Sequence, residues 1–408
     1  MIQRVERHIF VSNEFDEICY LSKNLYNYCN YVLRQALSGK HENILEFVDL
    51  IKGDKYISEF DLSKRLAILN QIDYRSLPIQ TSQQVIKLLF KNWKSFYKAI
   101  KQYKIKPKLF KGRPKPPKYK DKDGKNIVIF TNQQVKIKNG FINFPKKTNL
   151  RFIKTKVDNL VQIRIIPQAT CYVAEVVYNK NIKNIELDDK FYLGIDLGLN
   201  NFVTCIDNTE NESFIINGKT IKSNNQYFNK KKAKLMSFVR DKGTSNRIKR
   251  LTHKRNCKVE DYLHKSSRYI INYCIDNVIK TIVIGLNRQW KDKIKIGKRN
   301  NQSFVNIPHS KFIDKILYKA EEVGIKVIVQ EESYTSKCDS LALEAIKKHN
   351  QYLGKRKRRG LFQSSIGKII NADINGALNI LRKVIGDSLV KEITNRGLVF
   401  NPVKLNIV

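Results

Sequence analysis

Tyr192-Leu193-Gly194-Ile195-Asp196-Leu197-Gly198-Leu199 is an apolar strand with one carboxylate inside it. A lone ionised side chain in such a setting is costly unless something compensates its charge, and a metal ion would do so. An Asp that merely caps the turn at the strand end is the plainer alternative. Across a tight turn, Asn201-Phe-Val-Thr-Cys-Ile-Asp207 forms a second strand. Further along lie a buried strand at Thr281-Ile-Val-Ile-Gly285, a helix from about Ser310 to Val323, a strand at Ile325–Gln330 and a last helix near Ile374–Val384. Strands interspersed with helices from Phe191 onward predict a mixed α/β layered domain. It is interrupted by a strongly basic helical hairpin over about residues 227–280.

Two more acidic positions fall at element ends. Asn371-Ala-Asp373-Ile-Asn-Gly-Ala377 opens the last helix, where an Asp is also an ordinary first-turn residue favoured by the helix dipole. Gln330-Glu331-Glu332-Ser-Tyr-Thr-Ser-Lys337 follows a strand, so these carboxylates are either a metal platform at its carboxyl end or a solvated terminus. Three separated carboxylates on an α/β core suit two-metal phosphodiester hydrolysis, with ions about 4 Å apart. All-oxygen ligands favour Mg²⁺, with Mn²⁺ able to substitute, over zinc. The six histidines sit apart, so no Ser/His/Asp arrangement competes. The Gly-Ile-Asp-Leu-Gly strand also resembles the opening of actin-like and Hsp70-like ATPases, but no second phosphate loop or adenosine-binding segment accompanies it.

Charge narrows the partner. The 408 residues carry 77 Lys+Arg against 37 Asp+Glu, a formal +40. Such an excess destabilises the compact state by self-repulsion and is neutralised by a polyanion, with counterion release driving association. No apolar stretch approaches the roughly 20 residues of a spanning helix, and Met1-Ile-Gln-Arg-Val-Glu-Arg7 is no signal peptide. The expectation is therefore nucleic acid, no membrane, and a cytoplasmic location, nucleoid-associated if the source is prokaryotic. Seven scattered cysteines with no C-x-x-C pair argue against disulfides and zinc ribbons alike.

The first half reads differently. From about Glu14 to Tyr103 the periodicity is helical, with Val85, Leu88, Leu89, Phe96 and Ile100 on one face and Leu77-Pro78 marking a helix start. Lys104 to Lys125 holds Pro107, Pro114, Pro116 and Pro117 among many lysines and reads as an extended basic strap. Residues 126–180 alternate like strands, with Lys138-Asn139-Gly140-Phe141 supplying hairpin chemistry. A small β-barrel or meander follows, completed by the Val5–Val11 strand.

Gly194–Asn200 (G-I-D-L-G-L-N), Tyr334–Lys337 (Y-T-S-K) and Asp373–Ala377 (D-I-N-G-A) together closely resemble the three blocks of TnpB, the transposon-encoded relatives of type V CRISPR effectors and of Fanzor. Leu77-Pro78 with Gln83-Gln84, the run Phe110–Tyr119 and the hairpin end His264–Ser267 also look like family positions, so the resemblance spans about residues 77–385. It implies an α+β multidomain protein. A helical recognition domain would cover 13–103, and a β-barrel wedge domain 1–12 with 104–185. A RuvC, RNase H-like nuclease would cover 186–408, with a target-strand loading region at about 336–370. The implied partners are a guide RNA and target double-stranded DNA, with base pairing reading the target and protein reading a short flanking motif. Phosphate- and base-contacting candidates are Gln83, Gln84, Lys111, Arg113, Lys115, Lys118, Lys120, Arg250, Lys254, Arg255, Lys355, Arg356, Arg358 and Arg359.

Two departures from the family matter. Its usual second carboxylate falls at Gly285, in Ile284-Gly285-Leu286-Asn287, and some members place an alternative glutamate before Y-T-S-K. That points to Glu332, or to Glu331. Pleat alternation lets only one face the site, and the spacing from Thr335 favours Glu332. The zinc ribbon of many relatives is reduced to Cys338 followed by Lys355-Arg-Lys-Arg-Arg359. One thiol cannot make a tetrahedral site, so a basic loop without zinc is expected. The expected catalytic and metal-holding set is Asp196, Glu332 and Asp373. A nuclease-inactive guided repressor and a compact type V CRISPR effector remain alternatives on the same scaffold.

Overall fold

The computed structural model describes residues 1–407 apart from 52, 54, 55, 184, 240–242, 288–306 and 398. The chain divides into two units, Met1–Lys180 and Asn181–Val408.

In the first unit, helix α1 (Asp16–Ser38) buries Ile18, Cys19, Leu25, Tyr26, Cys29 and Leu33. It stops at Gly39, whose φ of 70° is the left-handed cap conformation that glycine adopts without strain. Two shorter helices follow, α2 (Glu59–Ile68) and α3 (Ile72–Ser76). Helix α4 (Ile79–Ile105) starts directly after Pro78 and packs Val85, Ile86, Leu89 and Trp93 into the same core. Strands β1 (Ile2–Phe10), β2 (Val128–Thr131), β6 (Leu160–Pro167) and β7 (Tyr172–Lys180) form an antiparallel sheet in the order β1-β7-β6-β2. Strands β3 (Lys136–Lys138), β4 (Phe141–Asn143) and β5 (Ile153–Lys154) make a second sheet. The β3–β4 turn is the anticipated hairpin, with Asn139 at φ 52° and Gly140 at φ 74°, the positive pair a type I′ turn demands. Instead of one barrel, the seven strands make sheets of four and three.

The strap is held by its backbone. Asn30 Nδ2 and Arg34 Nε donate to the carbonyl of Pro117 (3.0 and 3.1 Å), and Lys23 Nζ donates to that of Lys122 (2.7 Å). Asn27 brackets Lys120, donating to its carbonyl (2.9 Å) and accepting from its N–H (2.8 Å). A proline-rich segment cannot satisfy its own carbonyls, and the polar face of α1 does so for it.

In the second unit a six-stranded sheet runs β12-β11-β8-β9-β10-β16. Its members are β8 (Asp188–Leu197), β9 (Asn201–Asp207), β10 (Phe214–Asn217), β11 (Ile279–Gly285), β12 (Lys326–Gln330) and β16 (Val403–Leu405). Strands β8, β11 and β12 are mutually parallel, so their carboxyl ends lie on one side. The pleat sorts their residues between two layers. Leu193, Ile195, Ile282 and Ile284 join the core under α6 (Asn246–Asp276) and α7 (His309–Glu322). Val283 joins the opposite core under α8 (Ala372–Ile385). Helix α5 (Lys219–Met236) pairs with α6 as the basic hairpin, beginning earlier than expected; residues 240–242 of that insert lie outside the described residues. A final helix, α9 (Asp387–Asn395), and the edge strand β16 were not evident in the sequence. Among the described residues no helix is long and apolar enough to cross a membrane.

Candidate active site

Helix α8 crosses the carboxyl ends of the parallel strands closely because glycines let it. A Cβ on Gly194 would stand 2.4 Å from Leu381 Cγ, so only a residue without a side chain fits beneath the helix. Two residues on, on the same face of β8, the Asp196 carboxylate occupies the equivalent space against α8. Its Oδ2 lies 2.9 Å from where a Cβ of Gly376 would be. Asp373 sits one turn earlier, at the helix start, its N–H accepted by the N-cap Asn371 side chain (2.8 Å). Asn201, at the head of β9, donates its Nδ2 to Asp373 Oδ2 (2.7 Å) and fixes that carboxylate's orientation.

The third carboxylate arrives over a gap. Register between β11 and β8 runs to Ile284 opposite Ile195, so Gly285 lies one step further, beside Asp196. Glu332, two residues past β12, leans across it. Its Oε2 is 2.8 Å from where a Gly285 Cβ would stand. A side chain at 285 and the Glu332 carboxylate thus compete for one space. Asn287 steadies the arrangement by accepting the Glu332 N–H (3.3 Å). Glu331 points elsewhere: it is exposed, and Lys383 Nζ donates to its Oε2 (3.2 Å) and to its carbonyl (2.9 Å).

Electrostatics records the convergence. The carboxyl of Asp196 is pushed well above the usual range, first by desolvation and then by the negative charges of Asp373 and Glu332, with Arg356 opposing. Glu332 is raised too, chiefly by burial, with Glu331 adding to the shift and Asn287 and Lys383 opposing it. Arg356 and Lys383 offset these like charges only in part, and an oxygen-seeking divalent cation would offset them further. Among the described residues no three His, Cys, Asp or Glu side chains stand together closely enough to hold a metal ion as they are placed.

Helix α8 also organises residues 335–344 through a polar stripe at i, i+4 and i+7, which the sequence reading missed. Asn375 Nδ2 donates to the Cys338 carbonyl (2.9 Å), and Asn379 Nδ2 to those of Thr335 and Cys338 (2.9 and 2.8 Å). Arg382 donates to the Glu344 carbonyl (3.0 Å). Two asparagines among the apolar residues in the middle of the helix, both fully buried in the structure, were the available signal. Beyond them, buried Asp339 gathers donors on both oxygens: the N–H groups of Leu341 and Ala342 on Oδ1, and Ser364 Oγ, Ser365 N and Ser365 Oγ on Oδ2. Glu344 accepts from the Asp339 and Leu353 N–H groups. Cys338 is buried, its thiol near the carbonyls of Ala345 and Lys347. In place of the expected basic loop, a three-stranded sheet, β13 (Lys355–Arg358), β14 (Leu361–Gln363) and β15 (Ile369–Asn371), follows.

The basic candidates are scattered. Lys111, Arg113, Lys115 and Lys118 are exposed on the strap, as are Arg250 and Lys254 on α6 and Lys355, Arg358 and Arg359 on or beside β13. Gln83 is exposed and Gln84 half-buried. Lys120 lies half-buried over the Tyr26 ring. Arg255 is occupied within the protein, its Nε donating to Asn225 of α5 (2.7 Å), so it ties the hairpin together. Arg356 alone of this set is close enough to act on Asp196.

The second unit thus carries Asp196, Glu332 and Asp373 near the carboxyl ends of its parallel strands. Residues 177–291 match the family model described as "Probable transposase" (OrfB_IS605), and residues 309–380 match the Cas12f1-like TNB domain. A curated relative, the CRISPR-associated endodeoxyribonuclease Cas12f1 of Sulfoacidibacillus thermotolerans, is 33% identical over 132 residues, 31% of this chain. The match spans 28% of that relative's length. Solved structures similar in coverage include a Cas12f1–sgRNA–target DNA complex (15% identity, 93% of this chain and 99% of that one, TM-score 0.38). Another is the mini-RNA-guided endonuclease CRISPR-Cas_phi3 (11% identity, 93% and 92%, TM-score 0.49). The stretches matched by the transposase and Cas12f1-like models both lie largely in the second unit, which is therefore similar to those two families.

Proposed function

We propose that the protein is an RNA-guided endonuclease that cuts guide-complementary double-stranded DNA beside a short flanking motif, using a RuvC-type, RNase H-like second unit. The observation that supports this is that Asp373 and Glu332, from two other elements, both lie close enough to Asp196 at the carboxyl end of β8 to raise its pKa. The +40 charge and the matches to transposase and Cas12f1-like models support nucleic acid as the substrate.

Asp196, Glu332 and Asp373 would hold Mg²⁺. A divalent ion there supplies activation of water and stabilisation of the leaving oxygen in an in-line displacement. Asn201 keeps Asp373 turned toward the site, and Asn287 fixes the backbone from which Glu332 reaches. Gly285 and Gly376 leave room for the two carboxylates that press against them. Arg356 is placed to attract a backbone phosphate, and the exposed bases of strap, hairpin and β13 would grip phosphates without reading sequence. By this reading residues 13–103 form the recognition domain and 1–12 with 104–185 the wedge. The guide RNA and target DNA are the partners, and the location is cytoplasmic.

Gly285 by itself favours a nuclease-inactive repressor, but Glu332 fills the space it leaves. A compact CRISPR effector would share the same chemistry and differ in whether its guide derives from a repeat array or a transposon end. The deciding experiment purifies the protein with its co-expressed RNA, sequences that RNA and presents a plasmid carrying its complement with Mg²⁺. Cleavage confined to the matching plasmid supports the proposal; matching plasmid bound but left intact supports the repressor.

A further inference from the structure

A groove of about 720 Å³ lies along helix α4 in the first unit, bounded by residues 56–59 on its far side. Its chemistry is unlike an ordinary apolar cleft. The floor includes Trp93, which is 4% exposed and spends its indole N–H on Asn30 Oδ1 (3.1 Å), so it contributes only shape. Two other rings are partly exposed: Tyr56 at 52%, and Tyr97 at 42%, which leans on Trp93 and Phe96 (centroids 5.7 and 5.3 Å) and keeps the rest of its surface open. Beside them Lys87, Lys91, Lys94, Lys98 and Lys101 recur at intervals of four and three, one continuous stripe of an α-helix. All five are exposed, and among the described residues no hydrogen bond or ion pair ties down any of their ammonium groups. The stripe is about 21 Å long at 1.5 Å per residue, the reach of a few nucleotides.

We infer that this groove binds a short unpaired stretch of single-stranded RNA, with bases stacked on Tyr56 and Tyr97 and phosphates tracked by the lysine stripe. Five uncompensated like charges call for a polyanion. Exposed rings between them call for bases whose faces are free, which a duplex does not offer. The groove also holds one carboxylate, Glu59, in the first turn of α2. It would repel a phosphate but accept a hydrogen bond from a ribose 2′-hydroxyl, the group that separates RNA from DNA. The inference draws on the nucleic-acid part of the proposal above and not on the three carboxylates.

The test uses the full chain in EDTA and two fluorescent ten-nucleotide probes, oligouridylate and its 2′-deoxy counterpart. Replacing both tyrosines (Tyr56→Ala with Tyr97→Ala) should weaken oligouridylate binding about tenfold at every salt concentration, leaving the salt slope unchanged. The Phe replacements should retain binding, which separates stacking from misfolding. Lys94→Ala with Lys98→Ala should reduce the salt slope by about 1.4, twice the roughly 0.7 of each single-strand phosphate contact. Glu59→Ala, which removes the acceptor, should erase the preference for the ribo probe. A 5-iodouridine version should crosslink to the peptides of Tyr56 or Tyr97, which distinguishes this groove from other basic surfaces. Unaltered binding by the double Ala variant, or crosslinks only elsewhere, overturns the inference. Equal affinity of the parent for both probes overturns the assignment to RNA in favour of single-stranded DNA. Because no divalent ion is present, each negative result leaves the hydrolytic proposal standing.

Discussion

Gly285→Ala is the smallest change that probes how the site is assembled. The new Cβ would stand 2.4 Å from Ile380 Cδ1 and 2.8 Å from Glu332 Oε2. Ile380 is fully buried between α8 and the sheet, so neither neighbour can be ignored. Forcing one extra methyl into a packed core costs about 1–3 kcal/mol. For a unit of this size about 2 kcal/mol lowers the melting temperature by about 4–8 °C. The Glu332 carboxylate must also swing aside, and a misplacement of that order costs about 100-fold in cleavage. Differential scanning calorimetry and a guided-cleavage time course measure the two effects separately. Ile380→Val, which deletes the clashing Cδ1, should recover most of the lost stability in the double variant but little of the cleavage, because Glu332 remains displaced. The reciprocal pair, Gly285→Glu with Glu332→Gly, should restore part of the activity by delivering a carboxylate from β11 instead. If Gly285→Ala melts and cuts like the parent, the packing relation between Gly285 and Glu332 is refuted.

Asp339→Ala strands several buried donors at once and should cost about 3 kcal/mol, seen as faster hydrogen exchange at Ser364–Lys368; parent-like protection there would contradict the structural role. Asp196 and Glu332 carry raised pKa values, so the folded protein binds protons more tightly than the unfolded chain and loses stability as pH rises through the raised values. Asp196→Asn should therefore raise the metal-free melting temperature at pH 8, the gain shrinking toward pH 4, and a variant less stable than the parent at pH 8 would be the contrary outcome. Arg34→Ala removes donors to the Pro116 and Pro117 carbonyls and should make the strap about tenfold more sensitive to trypsin, about 1.4 kcal/mol of local opening. Unchanged digestion would mean that the strap is held by other contacts.

The sequence disclosed most where local rules and burial agree. Asp196 stands out as a charge within an apolar strand, and Asn139-Gly140 can hardly be anything but a tight turn. Pro78 punctuates a helix by its backbone restriction alone. What stayed hidden depends on distant partners. Glu331 and Glu332 are adjacent in the chain, and their different surroundings follow from Lys383 and Gly285, about fifty residues away on either side. Lys355–Arg358 has no strand pattern of its own; it extends because Leu361–Gln363 offers a partner. Arg255 looked free in a basic helix, yet Asn225 on the neighbouring helix engages it. Asp339 was not singled out in the sequence, and its role emerges only once Ser364 and Ser365 fold back onto it.

The central claim is that Asp196, Glu332 and Asp373 make one divalent-ion site. Titrating Mn²⁺ into the RNA-bound protein, followed by electron paramagnetic resonance, tests it without reference to cleavage. The account predicts bound Mn²⁺ in the parent and in Glu331→Ala, displaced by excess Mg²⁺, and a loss of that signal in Asp196→Ala, Glu332→Ala and Asp373→Ala. Retention of the parent's Mn²⁺ signal in all three of those variants would contradict it.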